Sequence, residues 1–261
     1  MTVGALLVGL LLSAGSAPDC AQPIDESLRK ALRAQELAQV HACLAAGAAV
    51  DTRTERGKTV LMAAAAGGDL RLIERLLSTG VEVDQRNEFG GTPLMYAAAR
   101  GQIPAAKLLL RRGASPNLIS TTGWSALTVA AAKGQADLLA LMLRFGADPN
   151  PRDIRGWSPL MHAAANAYPA AVEVLVSSPA LRLDPADAEG VTALHCAVAG
   201  GSSAIVRLLL EHGADRQART RSGETAVDLA ARLGRSSILA LLQAYEGRRS
   251  EHQAPDPDEP V

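Results

Sequence analysis

The stretch Gly156-Trp157-Ser158-Pro159-Leu160-Met161-His162-Ala163-Ala164-Ala165 is one copy of a pattern that recurs along this chain. Related segments follow one another at a spacing of about 33 residues. They begin at Gly57, Gly90, Gly123, Gly190 and Gly223. Self-similarity at a fixed period of this length indicates one helical unit stacked several times, not a single globular core.

Each position of the pattern has a physical role. The third residue of every copy is a hydroxyl, which can accept a hydrogen bond from an amide at the start of a helix, and Pro93 and Pro159 follow it where proline is tolerated. Alanine pairs such as Ala163-Ala164 let neighbouring helices approach closely. Glycines such as Gly134 permit a tight turn, and pairs such as Leu109-Leu110 form the apolar face of a second helix. The hydroxyl residues are Thr59, Thr92, Ser125, Ser158, Thr192 and Thr225.

These residues resemble the ankyrin repeat, whose signature is G-x-T-P-L-H-x-A-A-x-x-G followed by a leucine-rich helix and a G-A-D/N turn. The resemblance implies an all-α solenoid of helix-turn-helix units joined by β-turns. Polar caps are expected at both ends, because the outer face of a terminal repeat meets water. The predicted units are a degenerate capping repeat at 24–56, repeats at 57–89, 90–122 and 123–155, an irregular repeat at 156–189, a repeat at 190–222 and a C-terminal capping repeat at 223–247.

The repeat at 156–189 departs from the pattern at two points. Ala167 replaces the glycine expected between the paired helices, and Pro169 follows at the start of the second helix. Residues 178–184 replace the Gly-Ala-Asp turn and contain one extra residue. We expect a remodelled loop before the next repeat, and a functional insertion is the alternative.

The two ends of the chain differ from the repeats. Residues 1–21 contain an apolar run followed by small residues, which predicts a signal peptide, export to the periplasm or outside the cell, and no stable membrane span after cleavage. No Lys or Arg precedes the apolar run, so only the amino terminus supplies positive charge there. Pro18 is unfavourable directly after a cut at Ala17, which leaves cleavage after Ser16 or nearer Ala21 open. A cytoplasmic adaptor with a mis-assigned start is the alternative to export. Residues 248–261 are acidic and proline-rich, which predicts a disordered tail.

The sequence contains no pattern typical of an enzyme. The five histidines lack zinc-ligand spacing, and neither a nucleophile elbow nor a phosphate-binding glycine loop is present. We therefore predict no catalysis, no metal and no cofactor. His195 and His212 fall where the ankyrin pattern implies structural hydrogen bonds. A formal net charge of −1 with no basic run argues against nucleic-acid binding.

Three cysteines are present. Cys43 takes a position that is apolar in the other repeats, so it is expected to be buried. In an exported protein Cys20 could fold over the capping repeat and form a disulfide with Cys43, which would stabilise that end of the stack. Two free thiols are the alternative. Cys196 is expected to be unreactive.

The resemblance also indicates where a partner binds, since the concave face of turn tips and first helices is the usual contact surface of ankyrin proteins. Four of the scarce aromatic residues fall at its variable positions, and aromatic and arginine side chains dominate interface energy. The alternative is that the tryptophans only cover the turns. Phe145, at the end of a second helix, is expected to pack. The predicted patch comprises Phe89, Tyr96, Trp124, Ile154, Arg155, Trp157 and His162.

The function predicted from the sequence is a non-catalytic, monomeric scaffold that binds another protein through the concave face. An inhibitor or immunity-type protein that blocks one exported enzyme is an alternative, and so is an accessory factor that stabilises such an enzyme. The repeat motif leaves the partner unnamed, because specificity resides in the variable surface residues.

Overall fold

The computed structural model describes residues 23–252, and side chains as far as residue 245. This part of the chain forms fourteen α-helices and, apart from an isolated bridge between Arg53 and Thr59, no β structure. The predicted all-α solenoid is therefore confirmed. The helices are α1 (Ile24–Ala34), α2 (Leu37–Ala45), α3 (Val60–Gly67), α4 (Leu70–Ser78), α5 (Pro93–Ala99), α6 (Ile103–Arg111), α7 (Ala126–Ala132), α8 (Ala136–Arg144), α9 (Pro159–Ala165), α10 (Pro169–Val176), α11 (Ala193–Gly200), α12 (Ser203–Glu211), α13 (Ala226–Arg232) and α14 (Ser236–His252).

The helices pair in chain order, and the pairs stack. From α3 onward each first helix packs against the first helix of the next pair, and from α4 onward each second helix packs against the next second helix. Alanines such as Ala97, Ala130 and Ala163 are completely buried in the first helices, and Leu109 and Leu175 are completely buried in the second helices. The result is one continuous apolar core along the stack. We call the surface formed by the first helices and the turn tips the inner face.

The first helices begin as the sequence predicts. Thr92 Oγ1 accepts a hydrogen bond from Met95 N at 3.3 Å, and Ser125 Oγ accepts one from Thr128 N at 3.1 Å. The amide of Thr192 donates to Nδ1 of His195 at 3.3 Å, as the amide of Ser125 donates to Thr128 Oγ1 at 3.4 Å. These side chains satisfy amide groups that have no partner within the helix.

The turns between paired helices require a left-handed backbone. Gly134 and Gly234 adopt φ angles of 68° and 64° there, which cost glycine little. Ala167 adopts a φ of 56° at the same place in the irregular repeat. Its Cβ is strained in this conformation, so the missing glycine changes the energy of the turn but not its path.

The structure corrects two expectations. Helix α14 continues through Gly247 to His252, so residues 248–252 of the predicted tail are helical; they contain no proline and consist mainly of good helix formers. Phe145 is 38% exposed at the end of α8 and is not packed in the core.

Several predictions concern the ends of the chain. The signal peptide at residues 1–21, the rest of the predicted tail and Cys20 lie outside the described residues, so the Cys20–Cys43 disulfide stays a prediction. Cys43 is fully buried, as expected, and burial raises the pKa of its thiol. Within residues 23–252 no helix is both long enough and apolar enough to cross a bilayer.

Candidate protein-binding face

The inner face is built on turn tips that are closed by polar side chains. Asp153 Oδ1 accepts hydrogen bonds from the amides of Arg155 and Trp157, both at 2.9 Å, and Asp187 Oδ1 closes the next tip in the same way. Neighbouring tips are also joined, since Ile154 N donates to Thr122 O at 3.1 Å. The variable residues of the tips are therefore held on an ordered backbone.

Trp124 and Trp157 meet at His162. The imidazole centroid lies 4.7 Å from the Trp124 ring and 5.3 Å from the Trp157 ring, and both pairs are tilted by almost 60°. His162 Nε2 is 3.0 Å from Asp153 Oδ2. The two tryptophans are thus neighbours through a shared histidine that a buried carboxylate positions.

The predicted direct role of His162 requires correction. His162 is only 4% exposed, because α9 holds it against both indoles. His162 therefore supports the tryptophans from below, and a partner approaching this surface would contact the indoles and the tip residues first.

Electrostatics fix the state of this pair. Burial alone would raise the pKa of Asp153, but hydrogen bonds from the amides of Trp157 and Arg155 and from His162 hold it below the ordinary value. Burial lowers the pKa of His162, and Asp153 only partly opposes that effect. At neutral pH the carboxylate is therefore ionised, the imidazole is neutral, and Nε2–H donates to Asp153.

The rim above this pair combines apolar and cationic groups. The Arg155 guanidinium lies 4.6 Å from the Trp157 ring centroid, and Trp157 Nε1 donates to Asp187 Oδ2 at 3.0 Å. Ile154 is 76% exposed beside them. We call Trp124, Ile154, Arg155 and Trp157, with His162 beneath them, the tryptophan cluster.

Phe89 and Tyr96 belong to a different part of the inner face. They line a cleft of about 510 Å³ together with residues of the first two turn tips, and Asn87 Nδ2 donates to Tyr96 Oη at 3.1 Å. Phe89 is 52% exposed, with the Arg56 guanidinium 6.0 Å from its ring. The predicted patch thus divides into the tryptophan cluster and this N-terminal cleft, which is lined by Arg33, Thr54, Glu55, Arg56, Lys58, Asn87, Phe89 and Tyr96.

A second cleft, also of about 510 Å³, was missed by the sequence reasoning. It lies between Trp157 on one side and Glu224 and Arg232 on the other, above Ala199 and Gly200. Gly200 permits close approach here, since a Cβ at that position would lie 2.9 Å from the carbonyl oxygens of Ala164 and Ala165. In the sequence, Gly200 at the end of the first helix α11 was the feature that could have indicated this cleft. We call this the C-terminal cleft.

His195 and His212 have structural partners. His195 Nδ1 bonds the Thr192 hydroxyl at 3.0 Å, and His212 Nδ1 donates to Leu208 O at 2.8 Å, as the ankyrin pattern implied. Among the described residues, no three His, Cys, Asp or Glu side chains are arranged to hold a metal ion.

Comparison with known proteins identifies the repeat. The family profile for ankyrin repeats in three copies matches residues 28–120, 112–185 and 180–252. The crystal structure of EF0377, an ankyrin repeat protein, is 33% identical over 71% of this chain and 96% of that chain, with a TM-score of 0.67. The ankyrin repeat domain of human ASB11 shares the fold at 24% identity, over 90% of this chain and 99% of that chain, with a TM-score of 0.72. No curated protein matches the chain at a significant level.

Proposed function

Because this chain belongs to the ankyrin-repeat family, whose repeats are in general protein-interaction modules, we propose that its inner face binds a partner protein at the tryptophan cluster. The observation that carries the proposal is the clamping of His162 between two indoles, with Arg155 stacked on one of them and Ile154 exposed beside it. Aromatic and arginine anchors of this kind dominate the energy of protein interfaces.

The cluster is also organised before a partner arrives. Asp153 fixes both the tip that carries Ile154 and the ring of His162, and Asp187 fixes the edge of the Trp157 indole. Side chains that are already ordered lose little conformational entropy on binding, which otherwise costs roughly 0.5–1.5 kcal/mol for each immobilised side chain. Burying Ile154 against a partner would add roughly 1.5–3 kcal/mol.

The remaining parts of the proposal concern activity and location. The ankyrin fold is typically a non-catalytic scaffold, and we propose that this protein acts by binding alone, as a monomer, after export. The composition of residues 1–21 supports export. The mass of the protein isolated from its host tests this point, because a mature chain that still begins at Met1 would contradict export.

The binding proposal is tested by affinity capture from the exported fraction. Ile154→Ser/Arg155→Ala changes two exposed tip residues and leaves the indoles in place. Ile103→Ser/Arg111→Ala, a matched control, removes an exposed isoleucine and an arginine from α6. We expect one protein to be retained by the wild type and the control but lost from the tip variant.

Equal recovery by all three proteins would refute the tryptophan cluster as the contact. If the captured partner is an enzyme, its activity in the purified complex separates the classes of function. Abolished activity indicates an inhibitor, while protected activity indicates an accessory factor.

A further inference from the structure

We propose that the N-terminal cleft binds an acidic segment of the partner protein, with carboxylates of that segment facing Arg56, Lys58 and Arg100. The inference rests on the proposed function, because the segment belongs to a protein bound on the inner face. Its lining residues lie in the first two turn tips and in α1 and α5, away from the tryptophan cluster, so the two proposals can fail separately.

The charge around the cleft is unbalanced. Arg33 is paired with both Glu26 and Glu55, but no ion pair involves Arg56, Lys58 or Arg100 among the side chains of residues 23–245. The chain as a whole has a net charge of −1, so this positive surplus is local. Local surplus charge of one sign favours a partner segment of the opposite sign.

Lys58 is the central cation of the cleft. Its Nζ donates to Leu32 O at 2.6 Å and lies 6.0 Å from the centroid of the Tyr96 ring, in a half-buried position. Burial lowers the pKa of Lys58, and the nearby charge of Arg100 lowers it further. A cation partly withdrawn from water and beside a second cation is costly, and an incoming carboxylate would offset that cost.

The walls of the cleft suit a peptide. Phe89 offers an exposed aromatic face, and Tyr96 Oη accepts a hydrogen bond from Asn87, which leaves its O–H free to donate to a carboxylate. The C-terminal cleft lacks the surplus, because Arg232 there is paired with Glu224, and Arg221 on the adjoining tip is paired with Glu189. We therefore place the acidic segment in the N-terminal cleft, with one apolar side chain against Phe89.

The test uses a fluorescein-labelled ten-residue peptide of Glu and Asp with one central Phe, and the same peptide with Gln and Asn as its neutral counterpart. Fluorescence anisotropy measures binding to the full chain. Arg56→Gln/Arg100→Gln removes one exposed cation that lines the cleft and a second whose charge acts on Lys58, and Arg75→Gln/Arg111→Gln removes two from the second helices α4 and α6. We expect the cleft variant to bind the acidic peptide at least about tenfold more weakly, with no change in the control and a loss of affinity in 0.5 M salt.

Three results with the peptides would overturn the inference: no binding of the acidic peptide at millimolar concentration, equal weakening in both double variants, or equal affinity for the neutral peptide. A single-stranded oligonucleotide or phosphatidylglycerol vesicles that bind more tightly than the acidic peptide, and lose that binding in the same cleft variant, would assign the cleft to another class of ligand. That result would also overturn the inference. Lys58→Met is a second cleft variant, and thermal denaturation verifies the folding of each protein. Ile154→Ser/Arg155→Ala should leave the peptide affinity unchanged, so loss of partner capture in that variant without any peptide binding would support the proposed function and refute this inference.

Discussion

Replacing Asp184 by Asn is expected to stabilise the solenoid at the remodelled loop. Asp184 Oδ2 accepts a hydrogen bond from Asp215 N at 3.0 Å, but Oδ1 is buried and has no hydrogen-bond partner within the described residues. Asn117 and Asn150 occupy the equivalent position in earlier repeats and bond through both side-chain atoms. Asn150 Oδ1 accepts from Arg182 N at 2.7 Å, and its Nδ2 donates to Ala180 O at 2.8 Å.

The magnitude follows from these two groups. A buried polar atom without a partner costs roughly 1–3 kcal/mol, and the lower end applies here because Asp184 is only partly buried. An amide at this position could donate to the carbonyl of Gly213, the counterpart of Ala180, and a hydrogen bond of this kind adds about 1 kcal/mol. We expect a gain of about 1–2 kcal/mol in the free energy of unfolding, with Tm rising by about 2–4 °C for each kcal/mol.

The gain should depend on pH. Burial raises the pKa of Asp184, the hydrogen bond from Asp215 N opposes this, and the charge of Asp215 adds to it. Because the folded state holds the proton more tightly, the stability that wild-type Asp184 contributes is full below the unfolded pKa and is lost as the pH rises through the folded pKa. The advantage of Asn should therefore be largest at pH 7 and smaller near pH 4.

Urea denaturation of both proteins at the two pH values measures this difference. Asp84→Asn is the matched control, because both carboxylate oxygens of Asp84 accept a hydrogen bond from Ser115 N, at 3.2 and 3.0 Å. A gain that is the same at both pH values, or an equal gain in the control, would refute the reasoning.

Three further predictions concern the turns, the buried histidines and Cys196. Ala167→Gly should increase the free energy of unfolding by about 0.5–1 kcal/mol, since it relieves a φ of 56° at the cost of glycine entropy. Gly234→Ala introduces a Cβ at a φ of 64° with open space around it, so the free energy of unfolding should fall by a similar amount. Urea titration measures both changes, and changes of the same sign in the two variants would contradict the argument. Burial lowers the pKa values of His162 and His195, so the unfolded state binds more protons and stability should fall as the pH drops below about 6.5; Tm measured from pH 7 to pH 5 should decline less steeply in His162→Gln than in the wild type. Burial, with the charge of Asp187, raises the pKa of Cys196 to about 12, so the thiol is protonated at neutral pH. Mass spectrometry should therefore show the Cys196 peptide modified by a thiolate-selective reagent only after denaturation. Rapid labelling of Cys196 in the native protein would show that the thiol is neither buried nor protonated.

The sequence predicted the turn chemistry well because that chemistry is local. The hydroxyl at Ser125 and the glycine at Gly134 act on atoms within a few residues of themselves, so their roles follow from their position in the repeat. The end of the last helix was less predictable, since Gly247 lowers helix propensity without stopping the helix and the first proline of the tail lies at position 255.

The candidate site was predicted only in part. The sequence placed Trp124 and Trp157 on neighbouring repeats, but it gave His162 a surface role and grouped Phe89 and Tyr96 with the tryptophans. The structure buries His162 between the indoles and places Phe89 and Tyr96 beside Arg56 and Lys58 instead. Register along the chain tells which position of a repeat a residue occupies, but not how deeply a neighbouring repeat covers it.

The sequence by itself therefore determined the repeat, the fold and the residues available at each turn tip, because hydrophobic period, helix capping and glycine turns are properties of short segments. Only the tertiary structure decided which tip residues meet. The Trp157–Asp187 hydrogen bond joins two successive turn tips, and the contact of Lys58 with Leu32 joins two different repeats. Such contacts depend on the offset with which one repeat stacks on the next, and that offset is set by the packing of the whole interface between repeats.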